Sequence, residues 1–392
     1  AMNERFPAIV AVGYNRPDCM ERLIKSVENA DYPEENITLI ISIDCSEESD
    51  EVEKTAREVG WSHGELIIRR YKKRLGLKNH IIQCGDLTED YGAVIILEDD
   101  LVVSKCFYNY VLQALRFYQN EPRIAGISLY SHAWNGYSNY EFTAQKNKYD
   151  TYMGQFSITW GQCWIKEEWR KFKSWYGTKS KEGLTVNYKL PEKIEHWGEK
   201  SWGKYFVYYI IEKDLYYVIP YISLSTNCSE AGEHNDMVSS SHQVMMLDAE
   251  NMDFRFPTFE QAIRYDIFFE RMADQEIFVK GINIKDICFD LNGLHRDTNG
   301  RQYLLTSVKD NSLKLITSYG LQLRPIEENV FRKIPGNCLF LYYVPEGYQR
   351  NKASRESYAR MKYELYDHNW RRICKYGFQS FFYAVRRKIR RK

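Results

Sequence analysis

Three adjacent carboxylates, Glu98-Asp99-Asp100, close the apolar run AVIILEDD (93–100). Like charges repel, so three acids at the end of a buried strand have little structural use beyond a solvated acidic turn. Oxygen ligands on a rigid strand end suit Mg2+ or Mn2+, which take one or two carboxylates and complete their shell with phosphate oxygens. That chemistry is the handling of a nucleotide or other phosphate ester. Two more polar groups follow apolar runs in the same manner: Asn15-Arg16 after PAIVAVGY (7–14), and Asp44 at the end of ITLIISID (37–44). No GxxxxGK[ST] or GxGxxG occurs, which removes P-loop and dinucleotide-binding readings. An aspartyl-phosphate phosphatase needs Asp-x-Asp after its first strand, whereas this cluster follows the fourth.

The elements that must position these groups alternate. Strands are predicted at 7–14, 37–44, 66–70, 93–100 and 123–130, with helices between them, the first carrying Met20, Leu23, Ile24 and Val27 on one face. Such alternation specifies an α/β fold with a parallel sheet covered on both faces. Ligands of such sheets bind beyond the carboxyl ends of the strands, where Asn15, Asp44 and the acidic triplet fall. Residues 131–163, rich in Tyr, Asn, Gly and Trp, read as a long binding loop. Helices at about 165–175 and 204–213, a strand at 214–226 and a helix at 255–275 follow. IKDICFDLNG, RQYLLTS, SLKLITS and LQLRPI read as short strands of a smaller unit, and the chain from Ser354 as helical. The domain reading is 2–250 for the main domain, divided into a nucleotide-binding half (6–130) and an acceptor half (131–250). A small α+β region (251–353) and a basic amphipathic helical tail (354–392) complete it.

The 392 residues are 44% hydrophobic and 27% charged, which is ample for a sizeable core. Aromatics reach 15%, suited to sugar or base stacking or to a ring-rich core. Nine scattered cysteines without a CxxC pair predict reduced thiols and a cytoplasmic protein. No stretch approaches 18 apolar residues, so neither a spanning segment nor a secretory leader is expected. The net charge is +1, but residues 371–392 hold nine Lys/Arg and no Asp or Glu. Setting those nine aside from the 54 basic side chains leaves 45 against 53 acids, a formal −8 for the body. An acidic body opposes a nucleic-acid backbone, so no nucleic-acid partner is expected. In the tail, Phe378, Phe381, Phe382, Val385 and Ile389 recur at helical steps beside the basic cluster, the pattern of a helix lying on an anionic membrane.

With these residues in view, the chain resembles the GT-A nucleotide-sugar glycosyltransferases, in particular bacterial family 2-like capsule enzymes and the N-acetylglucosaminyltransferase I group. The resemblance is carried by PAIVAVGYNRPDCMERLIKSV, ISIDCSEES and LEDDLVVSKCFYNYVLQAL in that order, then TWGQCWIKEEWRKF (159–172) and GKYFVYYIIEKDLYYVIPYISLSTNCSEAGEH (203–234). It covers about residues 6–240. It implies a GT-A fold, a Rossmann-like mostly parallel sheet with helices on both faces. It also implies hexosyl transfer from a nucleotide-diphosphate donor, a UDP-sugar, to a glycan or lipid-linked hydroxyl in bacterial surface polysaccharide synthesis. By position, Tyr14, Asn15 and Arg16 would meet the nucleotide, Asp44 the base, and Asp99 with Glu98 the ribose side. Asp100 would hold Mn2+ or Mg2+, with His234 beside the metal or diphosphate. Lys78 or Arg74 would neutralise phosphate, and Trp134, Trp160 and Gly161 would line the sugar site.

The chain departs from the pattern at the general base. Relatives carry an Asp at the start of the helix after the Trp-Gly segment, where this sequence has Gly203 and Lys204. The nearest acids are Glu195 and Glu199, and Glu199 is the candidate base of an inverting displacement. The missing Asp leaves a second reading, a carbohydrate- or nucleotide-binding protein that keeps the fold without turnover. A sugar-phosphate nucleotidyltransferase is disfavoured because no GxGxR-type loop follows the first strand. The resemblance and the tail together imply a cytoplasmic protein peripheral to the inner face of the cell membrane.

Overall fold

A computed structural model describes residues 6–390 except Glu35, Tyr188, 230–239, Ser241, 273–277, 349–357 and 366–368. The first part of the chain runs β1 (Ala8–Gly13), α1 (Pro17–Glu28), β2 (Leu39–Ile43), α2 (Ser49–Val59), β3 (Leu66–Arg70), α3 (Leu77–Gly85), α4 (Thr88–Tyr91) and β4 (Ala93–Glu98). It continues through β5 (Leu101–Val103), α5 (Phe107–Tyr118), β6 (Ile124–Ser128), a hairpin of β7 (Trp134–Asn135) and β8 (Tyr140–Glu141), β9 (Thr151–Gly154) and β10 (Gln162–Ile165). Then come α6 (Lys166–Glu182), α7 (Glu192–Glu195), α8 (Trp202–Glu212), β11 (Tyr216–Pro220), β12 (Ser225–Asn227) and β13 (Arg264–Tyr265).

The expected α/β architecture is present, with a sheet of order β3-β2-β1-β4-β10-β6-β11-β9-β13. β1 pairs in parallel with β2 and β4, and β2 with β3, so four carboxyl ends point the same way. The fifth predicted strand, β6, does not adjoin β4. β10 lies between them, antiparallel to both.

Because side chains alternate along a strand, each central strand feeds two cores. Ile9, Ala11, Ile41, Ile95 and Leu97 face α1, α2 and α5. Ala8, Val10, Ile40, Val94 and Ile96 face α3, α6 and α8. α1 buries Cys19, Met20, Leu23, Ile24 and Val27, the stripe expected from its spacing, behind Pro17 at its first turn. Much of the aromatic content is core. Trp164 stacks on Trp169 at 4.4 Å. Its Nε1 donates to the Tyr217 hydroxyl (3.0 Å), which donates to Gln162 Oε1 (2.7 Å), so the polar edges of these buried rings are satisfied.

Residues 131–163 are not one continuous loop: β9 and the start of β10 fall within them as strands of the large sheet. Two further expectations need correction. No helix is present over the described residues 255–272. Phe254, Phe256, Phe259 and Ala262 fill one core of the large sheet and Ile263, Tyr265 and Ile267–Phe269 the other, with β13 an edge strand on β9. The ring spacing that reads as amphipathic helix serves an irregular segment wrapped over the sheet edge, and main-sheet packing runs past residue 250.

The following region holds β14 (Phe278–Val279), β15 (Ile282–Asn283), β16 (Ile287–Asp290), β17 (Tyr303–Thr306), β18 (Lys314–Tyr319), α9 (Glu328–Phe331) and β19 (Leu339–Tyr343). Its sheet has order β16-β17-β19-β18 with small cores on both faces. LQLRPI is not a strand, the second correction. The backbone N–H groups of Gln322 and Leu323 donate to the Asn329 side-chain oxygen instead of to a ladder, and LFLYY supplies the missing strand. α10 (Tyr358–Glu364) and α11 (Trp370–Arg390) end the described chain.

Candidate functional site

The acidic triplet sits where β4 leaves the sheet. After Glu98 the chain turns and re-enters as β5, which pairs with β12 in a two-stranded ribbon. The Cys228 N–H donates to the Asp100 carbonyl at 2.9 Å, so the turn is pinned from the far side. Arg16, at the turn from β1 to α1, reaches across to it. Its Nη2 pairs with Asp99 Oδ1, its Nε lies 3.4 Å from Asp99 Oδ2, and Nη2 is 3.7 Å from Asp100 Oδ2.

The three acids are electrostatically distinct. Burial, then the charges of Asp100 and Asp99, drive the Glu98 carboxyl well above its ordinary range. Burial also raises Asp99, to about 6, against the opposing pull of Arg16. Asp100 Oδ1 is buried with no hydrogen-bond partner among the described residues. An orphaned carboxylate oxygen costs free energy unless something positive or hydrogen-bonding meets it.

Beside this turn stand Trp160 and His242. Their rings stack at 4.4 Å, and Tyr130 meets Trp160 edge-on at 4.7 Å. The Tyr130 hydroxyl donates to the His242 carbonyl at 3.1 Å. Burial lowers the His242 pKa, and the Asp100 charge acts in the opposite direction, which ties this histidine electrostatically to the acidic turn. His132 packs edge-on against Tyr130 and lies 5.9 Å from Trp160, its pKa lowered to about 3 by burial and by His242. Gly161 follows Trp160 with φ of +96°, and a Cβ there would lie 3.1 Å from Ser225 Oγ and 3.2 Å from Leu129 Cβ. Only glycine fits that crossing easily.

Asp44 is at the end of β2, buried, with a carboxylate already engaged. Oδ1 accepts from the Cys45 N–H (2.8 Å) and the Leu75 N–H (2.8 Å), and Oδ2 from the Gly76 N–H (2.9 Å). Three backbone donors make Asp44 the tether of the segment entering α3. Tyr14 lies nearby, its carbonyl accepting from Ser46 Oγ at 2.8 Å and its ring 4.8 Å beneath the Arg74 guanidinium. Asn15 is exposed in the same turn.

The remaining candidates spread out. Lys78 Nζ donates to the Glu199 carbonyl at 2.8 Å and lies over the Tyr205 ring. The exposed Glu199 carboxylate accepts from the Tyr205 hydroxyl (2.9 Å) and from Lys204 Nζ (3.3 Å), and these bonds lower its pKa. Buried Lys204 also donates to the Glu195 and Trp197 carbonyls. Glu195 pairs with Arg296 at 2.5 Å. Trp134 is exposed on the β7–β8 hairpin. His234 lies outside the described residues. Sequence reasoning missed His242, which lies downstream of the predicted strand with no spacing signal to mark it.

No group of three metal-ligating side chains exists among the described residues. The donor set nonetheless fits a hard divalent cation. Mg2+ and Mn2+ need few protein ligands when diphosphate oxygens supply the rest, and the orphaned Asp100 Oδ1 is an oxygen of the type such an ion takes.

No protein-family model matches the chain, and no curated protein matches it. Among solved structures, it is similar to a mannosyltransferase from Pyrobaculum calidifontis in complex with GDP-Man and Mn2+, at 13% identity and a TM-score of 0.31 over 45% of this chain. It is similar also to S. aureus TarS 1–349 in complex with UDP-GlcNAc, at 12% identity and a TM-score of 0.35 over 58% of this chain. The chain spans 48% and 60% of those two proteins' chains. Scores this low carry no functional assignment, and function has to be argued from the site itself.

Proposed function

We propose that the protein is a metal-dependent, inverting glycosyltransferase that moves a hexosyl group from a UDP-sugar to a glycan or lipid-linked hydroxyl in bacterial surface polysaccharide synthesis. The observation that carries the reading is the convergence of Arg16, Asp99 and Asp100 at the carboxyl ends of parallel strands, with one buried Asp100 oxygen unpartnered beside Trp160 and His242. Asp100 would hold Mn2+ or Mg2+, with His242 an imidazole that feels the Asp100 charge. Bound there, the cation supplies Lewis-acid neutralisation of the leaving diphosphate. Tyr14 offers a ring for the base, with Arg74 above it. The loop tethered by Asp44 walls the base pocket, and Asp99, oriented by Arg16, accepts from a ribose hydroxyl. Trp160, fixed by Tyr130 and Gly161, borders the sugar. Glu199 takes the proton of the acceptor hydroxyl, with Tyr205 and Lys204 orienting its carboxylate. The acceptor is met at the inner face of the cell membrane.

A specific feature favours a second reading, a non-catalytic nucleotide- or carbohydrate-binding protein. Gly203 and Lys204 stand where the enzymes it resembles carry a carboxylate base, and the Lys204 ammonium is committed to capping carbonyls. The test is a thermal-shift screen of nucleotides and nucleotide sugars with and without Mn2+, followed by donor turnover. A ligand of the folded state raises the melting temperature. Asp100→Ala should abolish the Mn2+-dependent shift while the protein stays folded, and a folded Asp100→Ala protein with the full shift would sink the metal assignment. Donor binding without turnover, toward water or sugar acceptors, would select the second reading.

A further inference from the structure

α11 is helical over Trp370–Arg390, about 30 Å at 1.5 Å per residue. Every side chain from Trp370 to Arg386 is exposed. At about 100° per residue, Trp370, Cys374, Phe378, Phe381 and Val385 fall within an arc of about 80°. Arg372 falls opposite this arc and Lys375, Arg386 and Arg387 lie outside it, whereas Arg371 borders it and Lys388 falls within it. The large rings are open to solvent, with Trp370 68%, Phe378 67% and Phe381 62% exposed. The apolar face therefore packs on no described part of the body. No described helix is long and apolar enough to cross a membrane.

The helix is nevertheless attached to a rigid point. In α10, Arg360 is buried, its guanidinium 4.5 Å from the Tyr140 ring centroid and its Nη2 2.9 Å from Glu364 and 3.2 Å from Asn292 Oδ1. The Tyr363 hydroxyl donates to the Leu323 carbonyl at 2.7 Å, and Arg324 stacks over the Tyr363 ring at 4.4 Å. α10 is thus fastened to both the main domain and the smaller unit, six residues before α11 begins.

We infer that α11 is an in-plane docking helix for an anionic lipid bilayer. Its rings and Val385 sit in the acyl boundary and its basic side chains among the headgroups, and α10 transmits the attachment to the body. The inference rests on the proposed function only for the whereabouts of a lipid-linked acceptor; the docking itself follows from the helix surface. Charge selects the occupant. The last 22 residues hold nine basic side chains and no acidic one, so pairing this face with a second copy would bring eighteen like charges together, whereas an anionic surface attracts them. Basic groups along the whole helix exclude a transverse orientation.

The experiment is co-sedimentation of the full chain with phosphatidylcholine vesicles, with and without phosphatidylglycerol, at low and high salt. Binding should need phosphatidylglycerol and fall with salt. The Phe378→Asp/Phe381→Asp protein should lose at least about tenfold in binding. Arg372→Gln/Lys375→Gln should lose about fivefold per charge removed. Since these side chains are exposed, both proteins should melt as the parent does. Full-length protein that stays in the supernatant with anionic vesicles at low salt, or a Phe378→Asp/Phe381→Asp protein that binds equally well, overturns the inference. A dimer in sedimentation velocity that the same double substitution dissolves would reassign the face to a second copy. Donor binding, measured without vesicles, keeps the two proposals separable.

Discussion

Removing the Asp44 carboxylate is expected to loosen the fold before it touches ligand binding. Its two oxygens take three backbone N–H groups, from Cys45, Leu75 and Gly76, at 2.8–2.9 Å. Asp44 is 3% exposed, so water cannot replace it cheaply on the β2 side. A hydrogen bond to a charged group contributes about 1.5–3 kcal/mol, and bonds sharing one acceptor are not additive. Asp44→Ala should therefore cost about 3–5 kcal/mol. Asp44→Asn keeps an oxygen for Cys45 and Leu75 but turns an NH2 group toward the Gly76 N–H, and should cost about 1–3 kcal/mol. Urea unfolding followed by tryptophan fluorescence reads both values. Nucleotide affinity should fall alongside, because the loosened segment carries Arg74 and the start of α3. An Asp44→Ala protein with an unchanged urea midpoint would refute the tether, and reduced UDP affinity in that stable protein would return Asp44 to direct base recognition.

Other outcomes are checkable. His80 is buried against Ser42 Oγ at 2.8 Å, and burial lowers its pKa to about 4. The unfolded chain then takes up the proton first, so the stability this group contributes is complete above pH 6.5 and lost as pH falls toward 4, about 3 kcal/mol in all. His80→Gln should flatten that part of the urea-midpoint profile, and an identical acid limb would count against the assignment. Glu199→Gln should reduce turnover about 10²–10⁴-fold with donor affinity kept, if Glu199 is the base; near-normal turnover would remove it from that role. A Cβ at Gly85 would fall inside the Trp169 indole, whose Nε1 is fixed to Asp86 at 2.8 Å. Gly85→Ala should therefore destabilise by about 1–3 kcal/mol, and a melting temperature equal to the parent's would show that the indole yields.

Much of the fold of the first 130 residues was legible in sequence because its signals are local. Runs such as PAIVAVGY and AVIILEDD can be buried on both faces only as central parallel strands, and a polar residue at each run's end must emerge at the carboxyl edge. Arg16, Asp99 and Asp100 could be nominated on that ground alone, and the helical steps of Phe378, Phe381 and Val385 beside a basic cluster mark the tail. Tertiary structure decided what depends on partners distant along the chain. The Asp44 carboxylate is consumed by Leu75 and Gly76, and His242 arrives over Trp160 from more than 80 residues away. The rings of 254–269 chose a sheet edge over the helix that their spacing allows, because β9 offered unpaired backbone and two cores to fill. α11 remains exposed for a related reason: its sequence encodes amphipathicity, but only the packed body could show that no described surface covers its apolar face.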